Sequence, residues 1–255
     1  MVTPVQFMNQ YRNLKVPVPF EDSVLRLSTV VTHTVQLRKY FMMNWNADTE
    51  ESKDYSAVTG GGSPSNAWFQ ANKEAIRTAA MGKGGPSDYE LAMEWAVRSG
   101  KVSNPTQASL LTYCDEHLGI DCSGLVTNYL IANQKRTASS AVKRNTSAAS
   151  YYSAAKAVND PARIAQGDLL VWMTGNAVKT DPGHVAVVES YVPQSKLGGN
   201  MRVVEATGAA GATPKLLDSM YTVENIIPKA GAVPATILVV KRHGVSGSRV
   251  VVIRP

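Results

Sequence analysis

The sequence predicts an α+β fold in which helices come first and an antiparallel β-sheet follows. Three observations carry that expectation. Apolar residues recur at helical spacing through residues 88–134, the apolar period switches to two after about residue 165, and the strands then follow one another instead of alternating with helices. With 255 residues, 44% of them hydrophobic and 18% charged, the chain can bury a core as one large domain or as a core domain with an extension.

In chain order, Met1–Lys15 is polar and has neither the basic region nor the apolar region of a secretory leader. No stretch approaches the roughly 18 uninterrupted apolar residues of a membrane span. SVLRLSTVVTHTVQLRKYFMMNW (23–45) is compatible with one or two helices, although its β-branched run STVVTHTV makes a strand the competing expectation. TGGGSPSN (59–66) and GKGGPSD (82–88) are loops, the second offering Ser87 or Asp88 as a helix cap. The glycines and lysine of that loop lack the Lys-Ser/Thr spacing of a phosphate-binding loop. DYELAMEWAVRSG (88–100), PTQASLLTYCDEHLG (105–119) and IDCSGLVTNYLIANQ (120–134) read as helices. DLLVWM (168–173), HVAVVESYV (184–192), MRVVEAT (201–207), ATILVVKRH (235–243) and SRVVVIRP (248–255) read as strands, with HGVSGS as a hairpin between the last two. Residues 1–87 are thus expected to be a mainly helical extension and residues 88–255 the functional domain.

Lys and Arg exceed Asp and Glu by 26 to 20, a net charge of +6. This excess favours polyanionic surroundings, either nucleic acid or an anionic bacterial wall, or serves solubility alone. No dense basic run accompanies it, so no nucleic-acid partner is expected. The only cysteines, Cys114 and Cys122, are too few for a disulfide scaffold or a multi-cysteine zinc site, and neither metal nor cofactor is expected.

Cys122 opens a helical segment, which would place its thiol at the positive end of a helix with backbone N–H groups available to an oxyanion. A thiol titrates ordinarily near 8.5 and needs such help, and that of a neighbouring imidazole, to act as a nucleophile at neutral pH. His184, at the start of a strand after Asp181-Pro182-Gly183, is the candidate base. Glu205, a carboxylate amid the apolar residues of the next expected strand, is the candidate that fixes the imidazole tautomer. His33, His117 and His243 have no supporting motif, and Cys114 reads as a small buried residue.

Asp121-Cys122-Ser123-Gly124-Leu125-Val126 resembles the nucleophile motif of the NlpC/P60 cell-wall peptidases. KRNTSAAS (143–150), AQGDLLVWM (165–173) and DPGHVAVVES (181–190) resemble three further motifs of that family in the same order, and GHVAVVE is also close to the CHAP amidases. The resemblance covers roughly residues 115–210. It implies a papain-like core with the sheet packed on the nucleophile helix, and a Cys122–His184–Glu205 triad, with Glu where many members carry His. It further implies substrate contacts from Asp121, Ser123 and Arg144, against which Asp121 as a helix cap and Arg144 as a surface ion-pair partner are the structural alternatives. The expected reaction is thiol-dependent hydrolysis of peptidoglycan stem-peptide amides. A chain without a leader would stay cytoplasmic until exported by a leaderless route to act in the periplasm or wall, as an antibacterial toxin does, with an immunity protein or secretion machine as partner. A thiol acyltransferase or lipid-directed enzyme, and a non-catalytic wall-binding module, are the competing expectations.

Overall fold

Strand β3 (Leu169–Thr174) has five consecutive buried residues, and it pairs with a different strand on each side. That double pairing decides the architecture. In the computed structural model, which describes residues 1–22, 27–40, 58–60, 66–180, 183–195, 198–208 and 215–255, the chain divides into two packed units. One is Asn9–Asp121 and the other is Met1–Met8 together with Cys122–Pro255.

The Asn9–Asp121 unit is built on an antiparallel hairpin, β1 (Leu14–Asp22) and β2 (Leu27–Val35), with Leu14 opposite Val35 and Asp22 opposite Leu27. This corrects the expectation of a mainly helical extension. The run Thr29-Val30-Val31-Thr32 is β-branched and loses rotamer freedom in a helix, whereas it suits a pleated strand. In β1, Leu14, Val16 and Val18 are buried and alternate with more exposed Lys15, Pro17 and Pro19, and proline is tolerated on such an edge strand. Residues 23–26 and 41–45 of the expected helical stretch and 61–65 of the first glycine loop lie outside the described residues.

Helix α1 (Pro4–Tyr11) precedes β1, and among the described residues three further helices pack in this unit: α2 (Ala67–Ala80), α3 (Pro86–Arg98) against β1, and α4 (Gln107–His117) against β2. The start of α3 is set as GKGGPSD suggests. Asp88 reaches back to accept the Gly85 N–H at 2.7 Å, and Pro86 occupies the first turn, where its missing N–H costs nothing. Helices α3 and α4, grouped by the sequence with the functional domain, pack here instead. The segment before Cys122 is anchored within this unit at four points. The Tyr89 hydroxyl donates to the Gly119 carbonyl, Ile120 N–H to Lys39 O, Asp121 N–H to Gly82 O, and Lys83 Nζ pairs with the Asp121 carboxylate.

The other unit holds α5 (Cys122–Ala132), the short α6 (Ser140–Asn145) and the strands. Helix α5 is buried continuously from Cys122 to Leu130, so it is a central helix with no polar stripe. The strands are β3, β4 (Ala177–Val178), β5 (Val185–Ser195), β6 (Gly198–Ala206), β7 (Leu216–Ile227), β8 (Ile237–Arg242) and β9 (Val245–Ile253). They run β3-β5-β6-β7-β8-β9, all antiparallel, and β9 returns to pair with β3 from Leu169 opposite Ile253 to Met173 opposite Arg249. Short β4 is appended to the end of β3.

The result is a closed six-stranded antiparallel β-barrel with a few short helices, which corrects the expected papain-like α+β core. Its interior is filled by alternate residues of every strand, among them Leu170, Ala186, Val203, Val223, Val240 and Val252. Closure leaves no free edge on these six strands. At the seam, Arg254 just after β9 donates two hydrogen bonds, of 3.0 and 2.9 Å, to buried Asp168 just before β3.

Two strand readings needed the structure. β7 was not anticipated, because its inward Ser219, Tyr221 and Val223 alternate with outward Asp218, Met220 and Glu224 and the segment looks polar on average. Residues 193–195 and 198–200, which lie between the two expected strands, extend the β5–β6 hairpin, with Val192 opposite Asn200. Helix α5 lies against β5 and β6, the strands that follow His184 and carry Glu205. Among the described residues no helix is long and apolar enough to cross a membrane.

Leu170 is fully buried in the barrel interior. Leu170→Ala is expected to destabilise the protein by about 2–5 kcal/mol through lost burial and the cavity left behind. A urea titration would show this as a lower midpoint with an unchanged slope.

Candidate functional site

Three strands bring charged or polar side chains to the interior register of the barrel. Met201, Val203 and Glu205 alternate on β6; Leu238, Val240 and Arg242 on β8; His184 stands two residues before Ala186 at the entry to β5. A carboxylate and a guanidinium on apolar registers must satisfy each other, because an unpaired charge there would be prohibitively costly.

Glu205 is completely buried. Its Oε2 is 3.0 Å from His184 Nε2 and accepts a 2.6 Å bond from Arg242 Nη2, while its Oε1 lies 3.0 Å from His243 Nε2. Arg242 Nη2 also donates to the Thr207 hydroxyl and sits 3.1 Å from His184 Nε2. The guanidinium lies 5.1 Å from the centre of the Trp172 ring, and that ring meets the His184 imidazole edge-on at 4.4 Å between centroids.

Donor counting settles the tautomer. Nη2 carries two hydrogens, and Glu205 and Thr207 accept both. None remains for His184 Nε2, so Nε2 must itself be the donor to Glu205. The lone pair of the imidazole is then at Nδ1, and Nδ1 is the basic nitrogen.

Burial is the main influence lowering the basicity of His184. The hydrogen bond and charge of Glu205 oppose this, Arg242 and His243 add to it, and the net result is a lowered pKa. For Glu205 burial alone would raise the pKa, but the hydrogen bonds from His184 and His243 and the charge of Arg242 override it and hold the carboxyl well below its usual range. Glu205 is therefore an orienting carboxylate that stays ionised and does not carry protons. Burial and the neighbouring Glu205 push the Tyr221 phenol far up, so it stays neutral.

The structure thus brings together His184 and Glu205. Cys122 is the first residue of α5, as expected, and is buried and not in a disulfide. Ser123 is buried in the first turn of α5, its carbonyl accepting from the Tyr151 hydroxyl at 3.5 Å. Asp121 pairs with Lys83 within the Asn9–Asp121 unit at 2.5 Å, so an internal ammonium already occupies the carboxylate expected to meet a substrate amine. Arg144 lies on α6 and is not one of the side chains bonded to Glu205. Cys114 is fully buried, and burial pushes its thiol up to about 12, which makes it inert. Asp181 and Pro182 lie outside the described residues.

Sequence reasoning missed Arg242 and set His243 aside. Two signals were present. Arg242 follows Leu238 and Val240 at period two, and Glu205 follows Met201 and Val203 in the same way, so opposite charges stood on inward registers of two strands. His243-Gly244 is also a two-residue hairpin, with φ of +48° and +80°. Positive φ at both positions gives the turn whose twist matches the strands, and glycine supplies the second at no steric cost. A histidine held in the left-handed region is strained unless its surroundings hold it there, and its bond to Glu205 does so.

Among the described residues no group of three or more His, Cys, Asp or Glu side chains could hold a metal ion. Arg242 against the Glu205 carboxylate would repel a cation there. Comparison of the chain with protein-family models, with curated proteins and with solved structures finds no match.

The cluster dictates the acid response of the fold. A His184 pKa lowered in the folded state makes stability fall as pH drops below the unfolded value of about 6.5, and a depressed Glu205 adds a second loss below about 4.3. Urea midpoints should therefore be highest near neutrality and decline in two stages on acidification. In His184→Gln the first stage should be smaller. Glu205→Gln, which strands the buried Arg242 charge, should cost about 3–5 kcal/mol at pH 7.

Proposed function

We propose that this chain is a thiol-dependent amide hydrolase in which Cys122 is the nucleophile, His184 the base and Glu205 the group that orients the base. The observation that carries the reading is the buried 3.0 Å contact between His184 Nε2 and Glu205, which leaves Nδ1 as the ring's basic nitrogen. A histidine paired with an ionised carboxylate, on strands against which the helix beginning at Cys122 packs, supplies the parts that such chemistry needs.

In the proposed reaction the thiol proton passes to His184 Nδ1 as sulfur attacks the amide carbon. Backbone N–H groups at the start of α5 stabilise the oxyanion. The C–N bond breaks, the amine leaves with the proton from His184, and a thioester remains. Water, deprotonated by His184, then attacks the thioester. The acid is released and the proton returns to sulfur. Throughout, Glu205 holds the ring and offsets its transient positive charge without accepting a proton.

The proposed substrate is a peptidoglycan stem peptide. Support comes from the likeness of the segments around Cys122, residues 143–150, Asp168 and His184 to NlpC/P60 motifs, and from a net charge of +6 suited to an anionic wall. The closed barrel is the frame in which these segments would work.

The test is digestion of purified sacculi by wild type, Cys122→Ala and His184→Ala, with products identified by mass spectrometry. Wild type is expected to release cleaved stem peptides, Cys122→Ala none, and His184→Ala about 10²–10⁴-fold less. Sacculi left intact by wild-type protein whose Cys122 still reacts with a thiol probe would overturn the wall substrate. They would favour acyl transfer or another amide.

A further inference from the structure

The cationic side chain beside His184 has no part in the reaction just described, yet it is built into the barrel interior. Arg242 Nη2 touches Glu205 Oε2 at 2.6 Å and the Thr207 hydroxyl, lies 3.1 Å from His184 Nε2, and its guanidinium faces the Trp172 ring. An arginine whose purpose was only to neutralise Glu205 would not need to abut the imidazole as well. Two nitrogens that both carry hydrogens, one of them cationic, are at close range, and a second positive charge on the ring would meet that cation directly.

We propose that Arg242 is the positioning residue of this site: by bonding Glu205 Oε2 and placing its charge against the ring, it holds His184 as the uncharged Nε2–H tautomer. This inference rests on the reading of His184 as a base. Its consequence is a resting Cys122–His184 pair of thiol and neutral imidazole, in which the proton moves only as sulfur attacks. The ion pair of thiolate and imidazolium common to activated cysteines would be disfavoured.

Among the described residues, the groups around His184 come from several elements. Glu205 on β6 favours the imidazolium. Arg242 at the end of β8 and His243 in the following turn oppose it. Trp172 on β3 offers a ring edge, Tyr221 on β7 stays a neutral phenol beside Glu205 and Arg242, and Cys122 opens the helix packed on β5 and β6. Glu205 stays ionised, held so by the hydrogen bonds of His184 and His243 and by the charge of Arg242, and so keeps accepting from Nε2–H. Arg242 therefore acts on His184 in two ways: its own charge opposes the imidazolium, and the carboxylate it helps to hold fixes the ring proton on Nε2.

Long-range ¹H–¹⁵N correlation spectra of the full chain with labelled histidine read both the tautomer and the titration of His184, without any substrate. The comparison is wild type with Arg242→Gln and Arg242→Lys. In wild type, His184 should be in the Nε2–H form and titrate below the ordinary histidine value. Arg242→Gln should raise its midpoint by about one pH unit or more, and Arg242→Lys, which keeps the charge, should stay near wild type. An unmoved midpoint in Arg242→Gln overturns the proposal, as does a lysine variant that shifts as far as glutamine. If Arg242→Gln fails to fold, the wild-type tautomer decides: an Nδ1–H form would mean that Arg242 donates to Nε2, and the proposal falls. Alkylation of Cys122 against pH tests the catalytic reading separately. A profile unchanged by His184→Ala sinks that reading, while the titration still decides what Arg242 does.

Discussion

A carboxylate on the interior register of a β-barrel has to be matched, and the matching of Glu205 organises one whole part of this molecule. Transfer of an ionised carboxylate from water into an apolar interior is opposed by several kcal/mol even after relaxation. Glu205 meets that cost with bonds to His184, Arg242 and His243. Each partner comes from a different place on the sheet: the entry to β5, the end of β8 and the β8–β9 turn. The barrel must bring these together in register for Glu205 to be tolerable, so the site and the closure of the sheet depend on one another.

Closure itself follows from the pattern of burial. β3 is apolar on both faces and pairs with β5 and β9, which turns a sheet into a barrel and brings its last strand beside its first. The Asp168–Arg254 pair marks the seam with charge. Because β8 and β9 complete the barrel, Arg242 and His243, some 37 residues after Glu205 in the chain, arrive at its side. A sheet left open at β3 and β9 would lack that constraint.

Order within the cluster comes from donor arithmetic. A carboxylate with two oxygens accepts from two imidazoles and a guanidinium, and the exhausted Nη2 hydrogens force the His184 proton onto Nε2. A neutral ring with its lone pair at Nδ1 is a proton acceptor by construction. The strained turn at His243 shows the same logic on the backbone, since a left-handed histidine persists where its side chain has a fixed partner.

What the sequence determined alone was local. The starts of α3 and α5 were readable from Gly-Pro and capping chemistry and from the apolar run after Cys122. Five strands were readable from period two, and His184 with Glu205 from a histidine at a strand start and a carboxylate amid valines. Tertiary structure decided the rest, because it turns on pairings between distant residues. Whether Thr29–Val35 becomes helix or strand depends on β1 opposite it. Whether the strands form an open sheet or a barrel depends on β9 meeting β3. That Asp121 is taken by Lys83 and that Arg242 guards Glu205 are facts of pairing that no window along the chain contains, for a side chain's charge is visible in sequence while the charge that answers it is chosen by the fold.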